Sequence, residues 1–254
     1  MPVVPTAKKA GSFFADEDVV DAYARTTTFR PGEAHVLLTY LVQGGSLLEV
    51  GCGAGRVSLL LAERFAEIRA FDIIPEMVTA ARARAAALHA PIHFFEDDIT
   101  TLSLAKTDFD NIVFMHSGIE GIDDDAQREN ALRRVFAHLR PGGRFIFTTK
   151  SVFTGPLLYE YALKPRLKWV LHRLGAIATE PQVPRLGRVV LHEEGRSVST
   201  RTSNPFTMKR ILRRVGFELL YFNGETRLAR EITGENFRAN FCWWDHFFVC
   251  QKPR

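Results

Sequence analysis

Four side chains with chemistry to offer stand at or beside the ends of apolar segments: Glu49 in Leu47–Val50, Asp72 after Ile68–Phe71, Asp98 after Ile92–Phe95, and His116 after Ile112–Met115. Between the first and second of them run three glycines at alternate positions, Gly51, Gly53 and Gly55, with Cys52 inside the run. Glycines that turn a strand sharply into a helix let backbone N–H groups approach whatever lies in the bend, because no Cβ stands in the way. Carboxylates at neighbouring strand tips accept hydrogen bonds from hydroxyl and amino groups, and two acceptor oxygens suit two vicinal hydroxyls. An imidazole is the natural group to take one proton near neutral pH. The pattern therefore describes a ligand site at the strand tips with a candidate proton acceptor beside it. His116 is the first candidate for that base, with Tyr23 and Glu120 behind it.

A glycine bend at the carboxyl end of a parallel strand is where open α/β sheets bind nucleotides. The dinucleotide fingerprint requires a third glycine where this chain has Arg56. The spacing here is instead Glu49-x-Gly51-x-Gly53-x-Gly55, which resembles the first motif of the class I S-adenosylmethionine-dependent methyltransferases. The resemblance extends in order through Asp72, Asp98, Phe109-Asp110 and the phrase Leu139-Arg-Pro-Gly-Gly143. It implies S-adenosylmethionine as cofactor and S-adenosylhomocysteine as product. It also implies roles: Glu49 toward the cationic amino group of the methionine part, and Gly51, Cys52, Gly53 and Gly55 around the cofactor. Asp72 would meet the ribose hydroxyls, Ile73 and Met77 the adenine ring, Asp98 the adenine amino group with Ile99 beside it, and Met115 with His116 would lie near the methyl group. Within the acidic run Glu96-Asp97-Asp98, Asp98 is chosen because it directly precedes an apolar residue. Like charges alone do not select a metal, so no metal site is assigned.

The elements needed to hold this site can be read off the pattern. Helices are expected over Phe13–Arg25, with Asp16 as cap, and over Glu33–Val42, with Tyr23 and Arg30 as lid candidates. A helix is expected to follow the glycine bend from Val57, and Pro75 should open the next one. Asp123–Asp125 should cap a helix over Ala126–Leu139, and Pro141-Gly142-Gly143 should form a tight turn into a strand over Arg144–Thr149. Beyond Lys150 we expect a helical pair over Leu157–Leu174 interrupted by Pro165, a hairpin over Gly187–Thr202, a helix over Thr207–Val215 and two closing strands. The fold class is α/β: a seven-stranded, mostly parallel sheet with helices on both faces, the last strand antiparallel, plus an inserted helical and hairpin lobe. The expected division is lid helices at 1–42, a Rossmann-like cofactor core at 43–150, an inserted substrate or cap region at 151–205, and completion of the sheet at 206–254.

Composition bounds the function. A chain of 254 residues can bury a large core, and no apolar run reaches the roughly 18 residues of a membrane span. Cys52, Cys242 and Cys250 lack metal-ligand spacing, which suits reduced thiols in a cytoplasmic protein. Residues 1–150 carry 16 basic and 20 acidic side chains, and residues 151–254 carry 17 and 9. A basic cap over an acidic core suits an anionic substrate, a nucleic acid or a membrane surface. Where methyltransferases acting on base amines commonly carry Asn/Asp-Pro-Pro-aromatic, this chain reads His116-Ser-Gly-Ile, which disfavours nucleic acid. The expected function is methyl transfer to an oxygen or nitrogen of a small molecule, anionic or amphipathic. Phe153, Tyr159, Tyr161, Trp169, Trp243 and Trp244 are candidates for an aromatic pocket. The alternatives are an RNA or protein methyltransferase, a non-catalytic S-adenosylmethionine-binding protein, and a nicotinamide-dependent oxidoreductase. A further alternative is peripheral membrane contact through the basic insert.

Overall fold

Leu47, Leu48 and Val50 are sealed from solvent, and the strand they form is covered on both faces, as a parallel strand must be. The structure is a computed structural model that describes residues 13–151, 163–178, 188–193, 196–233 and 245–254. Strand β1 (Gly44–Val50) lies between β2 (Phe65–Asp72) and β4 (Phe109–Phe114), with β3 (Ile92–Glu96) beyond β2 and β5 (Leu139–Lys150) beyond β4. These five strands run parallel. The sheet is completed to seven by β8 (Glu218–Gly224) and β9 (Asp245–Gln251) in the order β3-β2-β1-β4-β5-β9-β8. Strand β9 is antiparallel to both of its neighbours. The chain proceeds outward from β1 to β3 and then returns to place β4 beside β1. The crevice at the carboxyl ends of β1 and β4 is therefore a topological switch point, the place where such sheets bind ligands.

Helices cover both faces. On one, Val36 and Leu37 of α2 (Pro31–Tyr40) and Leu228 of α8 (Glu225–Thr233) pack with Val113, Ile146, Phe247 and Val249. On the other, Leu132 and Val135 of α5 (Asp125–His138) and Met208 and Leu212 of α7 (Pro205–Val215) pack with Ile112, Phe145, Phe147 and Phe248. The alternation of these strand residues between the two clusters is the period-two pattern of a pleated sheet. Local chemistry starts and stops the helices as expected. Pro75 sits in the first turn of α4 (Pro75–Ala87), Asp124 accepts from the Gln127 N–H at 2.8 Å, and Asn204 accepts from the Phe206 N–H at 2.9 Å.

Several boundaries differ from the sequence expectation. Helix α1 spans Glu17–Arg25, with Asp16 at the cap position but no side-chain cap bond. Helix α3 is only Arg56–Leu60, because Ala62–Arg64 tightens into a 3-10 turn. The Pro141-Gly142-Gly143 phrase is not a free turn before β5 but a bulge inside it: Phe109 pairs with Leu139 while Asn111 pairs with Arg144. The bulge is held by the C-terminal segment, with Gly142 N–H donating to the Lys252 carbonyl at 2.8 Å. Pro165 sits in the first turn of α6 (Lys164–Arg173), as its missing N–H allows, and positions 157–162 of the expected helical pair lie outside the described residues. The hairpin is present as β6 (Arg188–Glu193) and β7 (Arg196–Arg201). Among the described residues no helix is long and apolar enough to cross a membrane.

Candidate active site

Gly51, Gly53 and Gly55 all have left-handed backbones, with φ of 62°, 52° and 77°. A side chain would be strained at each, and the space is closed as well. A Cβ on Gly51 would lie 2.8 Å from the Phe114 ring, and one on Gly55 would lie 2.9 Å from Phe94. Asp72 pins the bend, its Oδ2 accepting from the Gly53 N–H at 2.7 Å and its Oδ1 from the Ile74 N–H at 3.0 Å. Burial raises the proton affinity of this carboxyl, and the N–H donors of the loop oppose that rise. Each carboxylate oxygen carries a second lone pair, so Asp72 can still accept from a ligand.

A cavity of about 470 Å³ opens along the strand tips. Gly51, Gly53, Asp72, Ile73 and Met77 form one end, Asp98 and Ile99 one wall, and Met115 with His116 the region beyond β4. Tyr23 and Phe14 close over it from the N-terminal side, and Ile122, Asp123 and Gln127 bound the far side. Asp97 shares the wall with Asp98, while Glu96 ends β3 in register with Asp72. Asp98 Oδ1 accepts from the Thr100 N–H at 2.8 Å. Ile73 is 60% exposed at the cavity edge, an apolar surface that a planar ring could cover.

The turn after β4 carries backbone strain. His116 and Ser117 both have positive φ, 54° and 55°, a conformation that costs non-glycine residues and persists only when its surroundings impose it. Here they do. Ser117 N–H donates to Thr148 Oγ1 at 2.7 Å, and its hydroxyl donates to Asp245 Oδ1 at 2.7 Å. Asp245 also pairs with Arg30 at 3.3 Å, and Arg30 with Glu225 at 3.0 Å. Burial pushes the Glu225 carboxyl up to about 8 against the pull of Arg30.

Beside this network Arg56 makes a two-pronged pair with Glu33, at 2.6 and 2.7 Å, which fixes the entry of α2 onto the glycine bend. His116 faces the cavity with its ring 6.2 Å from that of Tyr23. Its ring is open to the cavity yet crowded by protein. That crowding, reinforced by Arg30 and Arg56, lowers its proton affinity to about 3. The imidazole is therefore neutral at physiological pH.

Residues 47–143 match the family model of a methyltransferase domain. That stretch carries the glycine bend and the first four strand tips, so this part of the chain is similar to a methyltransferase domain. The sheet order is the fold of the class I S-adenosylmethionine-dependent methyltransferases. It is 30% identical to the malonyl-[acyl-carrier protein] O-methyltransferase of Enterobacter lignolyticus over 45% of this chain and 42% of that protein. It is 29% identical to the ubiquinone biosynthesis O-methyltransferase of a Methylobacterium species over 50% of each. The chain thus spans about half the length of the curated relatives it matches. A crystal structure of an S-adenosylmethionine-dependent methyltransferase from Methanosarcina mazei superposes with a TM-score of 0.63 at 20% identity, covering 86% of this chain and 97% of that one.

The methyltransferase cavity fits the family's cofactor by its own geometry. The bend leaves no room for a Cβ, two carboxylates stand at successive strand tips, and the exposed Ile73 lies between them and solvent. Ten of the residues singled out from the sequence line the cavity: Gly51, Gly53, Asp72, Ile73, Met77, Asp98, Ile99, Met115, His116 and Tyr23. Four do not.

Glu49 is enclosed, its carboxylate accepting from both the N–H (2.8 Å) and the hydroxyl of Ser58. That commitment fastens β1 to α3. Burial pushes its proton affinity up to about 7. Cys52 turns inward, donating to the Gly53 carbonyl at 3.4 Å, and burial raises its thiol further. Gly55 packs against Phe94 and Ala81. Glu120 points away to Arg128, 3.1 Å from its guanidinium, so the catalytic role suggested for it has no geometric support.

Arg30, Ser117, Glu225 and Asp245 were missed as a set. Arg30 was named only as a lid candidate, and sequence spacing does not show which distant acids and bases meet. Of the aromatic-pocket candidates, Trp169 lies on α6, and Phe153, Tyr159, Tyr161, Trp243 and Trp244 fall outside the described residues, as does Cys242.

Proposed function

We propose that this chain transfers the methyl group of S-adenosylmethionine to an oxygen or nitrogen of a small, anionic or amphipathic molecule. The observation that carries the reading is the single cavity that joins the glycine bend, Asp72 and Asp98 to His116 at the tip of the central strand. Asp72 would accept both ribose hydroxyls on its free lone pairs, and Asp98 the adenine amino group. Ile73, Met77 and Ile99 would flank the ring. When bound, the cofactor would supply an activated methyl carbon open to in-line attack, with the thioether S-adenosylhomocysteine as the leaving group. The residues beyond β4 have the task of aligning the acceptor and, for a hydroxyl, accepting its proton at an imidazole nitrogen of His116. A neutral imidazole in the resting protein is the form that can do so. The O-methyltransferase names of the two relatives support an oxygen acceptor, and the excess of basic residues in the C-terminal part supports an anionic one.

The test has two arms. Calorimetry with S-adenosylmethionine and S-adenosylhomocysteine should give saturable binding that Asp72→Ala weakens by about 10- to 100-fold, the loss of hydrogen bonds to a charged acceptor. Undiminished binding in the variant would remove the ribose assignment. Turnover of S-adenosylmethionine against a panel of small hydroxy, carboxy and amino acceptors should identify a substrate. Tight binding with no turnover on any acceptor, RNA and protein included, would instead favour a non-catalytic binding protein.

A further inference from the structure

Among the described residues outside the cavity, exposed large apolar side chains gather on α6 and at its two cap positions. Leu163, Leu167, Val170 and Leu174 are between 44% and 75% exposed. At about 100° per residue they fall on one stripe of the helix together with Leu171. The stripe is bordered on one side by Lys164 and Lys168 and on the other by Arg166 and Arg173. Trp169 stands next to Arg173, whose guanidinium lies 5.6 Å from the indole centroid. None of the residues of α6 is buried, and the sequence from 161 to 179 contains no acidic residue.

A surface helix of a water-soluble domain normally turns its apolar stripe inward and its charges outward. Here the apolar stripe itself faces solvent, and cations flank both of its edges. Four basic side chains without a single acid do not suit a second copy of the same helix, which would bring like charges together. They suit a surface that is apolar within and negative at its boundary. Long Lys and Arg stems beside a leucine stripe can reach headgroups while the stripe enters the acyl boundary.

We infer that α6 is an interfacial helix that docks this protein onto an anionic lipid bilayer, lying in the plane of the surface. The inference is independent of methyl transfer, since it concerns a helix that lines none of the cavity.

The experiment is co-sedimentation of the full chain with phosphatidylcholine vesicles, with and without phosphatidylserine, across a salt series. Binding to the anionic vesicles should exceed binding to the neutral ones by about tenfold or more and should fall as salt rises. Lys168→Glu and Leu174→Glu should each weaken that binding by about tenfold. Both side chains are exposed, so each variant should keep the melting temperature and S-adenosylmethionine affinity of the parent. Failure of the parent to sediment with anionic vesicles would overturn the inference, as would equal binding to both vesicle types or variants that bind like the parent. So would a vesicle-free dimer, seen by analytical ultracentrifugation, that Leu174→Glu dissociates; the stripe would then belong to a second copy of the chain.

Discussion

The Ser117 hydroxyl donates to Asp245 Oδ1 across 2.7 Å, joining the strained turn after β4 to the first residue of β9, 128 positions later in the chain. Through Asp245 the bond continues to Arg30, so the residue next to His116 is anchored to the loop that precedes α2. The turn has no glycine to relieve its two positive φ values, and this bond, with the one from the Ser117 N–H to Thr148, holds it in place.

Ser117→Ala should therefore act on positioning rather than on cofactor binding. The variant leaves a buried carboxylate short of one donor, a loss of about 1–3 kcal/mol in stability that urea denaturation would register. S-adenosylmethionine affinity should stay within about twofold of the parent, while kcat falls by about tenfold as His116 loses its fixed place. A fall in kcat with KM and cofactor affinity unchanged would support a positioning role. An unchanged kcat in the alanine variant would remove it.

Arg56 and Glu33 are expected to be a structural pair of high cost. Both are almost fully enclosed, and the pair is two-pronged. Removing one partner of such a pair strands the other charge and typically costs about 3–5 kcal/mol. Glu33→Ala should lower stability on that scale by denaturant titration, whereas the double variant Glu33→Gln/Arg56→Met should lose less than Glu33→Ala alone. A double variant worse than the single would show that the pair is worth more than the burial it must offset.

The sheet and the glycine bend were legible because each strand announces itself by a local apolar run and each bend by local glycine or acid. Asp72 and Asp98 could be placed for the same reason: strand tips of a parallel sheet share one edge, so position along the strand predicts position in the site. For Glu49, its place inside β1 says which strand it occupies but not what lies beside it. The N–H and hydroxyl of Ser58 both meet its Oε2 and hold the carboxylate toward α3. The network of Arg30, Ser117, Glu225 and Asp245 was illegible because it forms between segments brought together only by the antiparallel return of β9. The bulge at Gly142 was misread as a turn because its closing partner, Lys252, lies at the far end of the chain.

Glu49 gives a stability prediction with a definite sign. Its folded proton affinity is raised from an ordinary 4.5 to about 7 by burial. A carboxyl shifted upward contributes stability that is fully present below about pH 4.5 and is lost as pH rises to about 7. Over that window the contribution changes by about 3 kcal/mol. Glu49→Gln keeps an acceptor for the Ser58 N–H and removes the titration, so its melting temperature should fall less steeply between pH 4.5 and 7 than that of the parent. Parallel profiles for the two proteins would mean that Glu49 does not titrate in that range.

His116 gives the corresponding kinetic prediction. Crowding by protein, with Arg30 and Arg56 adding to it, holds the ring neutral down to about pH 3. An ordinary histidine base would switch off as pH fell through 6.5, giving an acid limb to kcat/KM. Here that limb should be absent, and the profile should be flat between about pH 5 and 8 in its dependence on this group. The unfolded ring takes a proton below about 6.5 that the folded ring refuses, so the same group makes the fold less stable as pH falls through that range. Its openness to the cavity limits the size of this stability effect but not its sign. His116→Asn tolerates the positive φ and removes the imidazole. It should reduce kcat on a hydroxyl acceptor by about 10²–10⁴-fold while leaving S-adenosylhomocysteine affinity nearly unchanged. A reduction of only a few-fold, or an acid limb near 6.5 that survives in the variant, would assign the proton to another acceptor and leave His116 as a wall of the cavity.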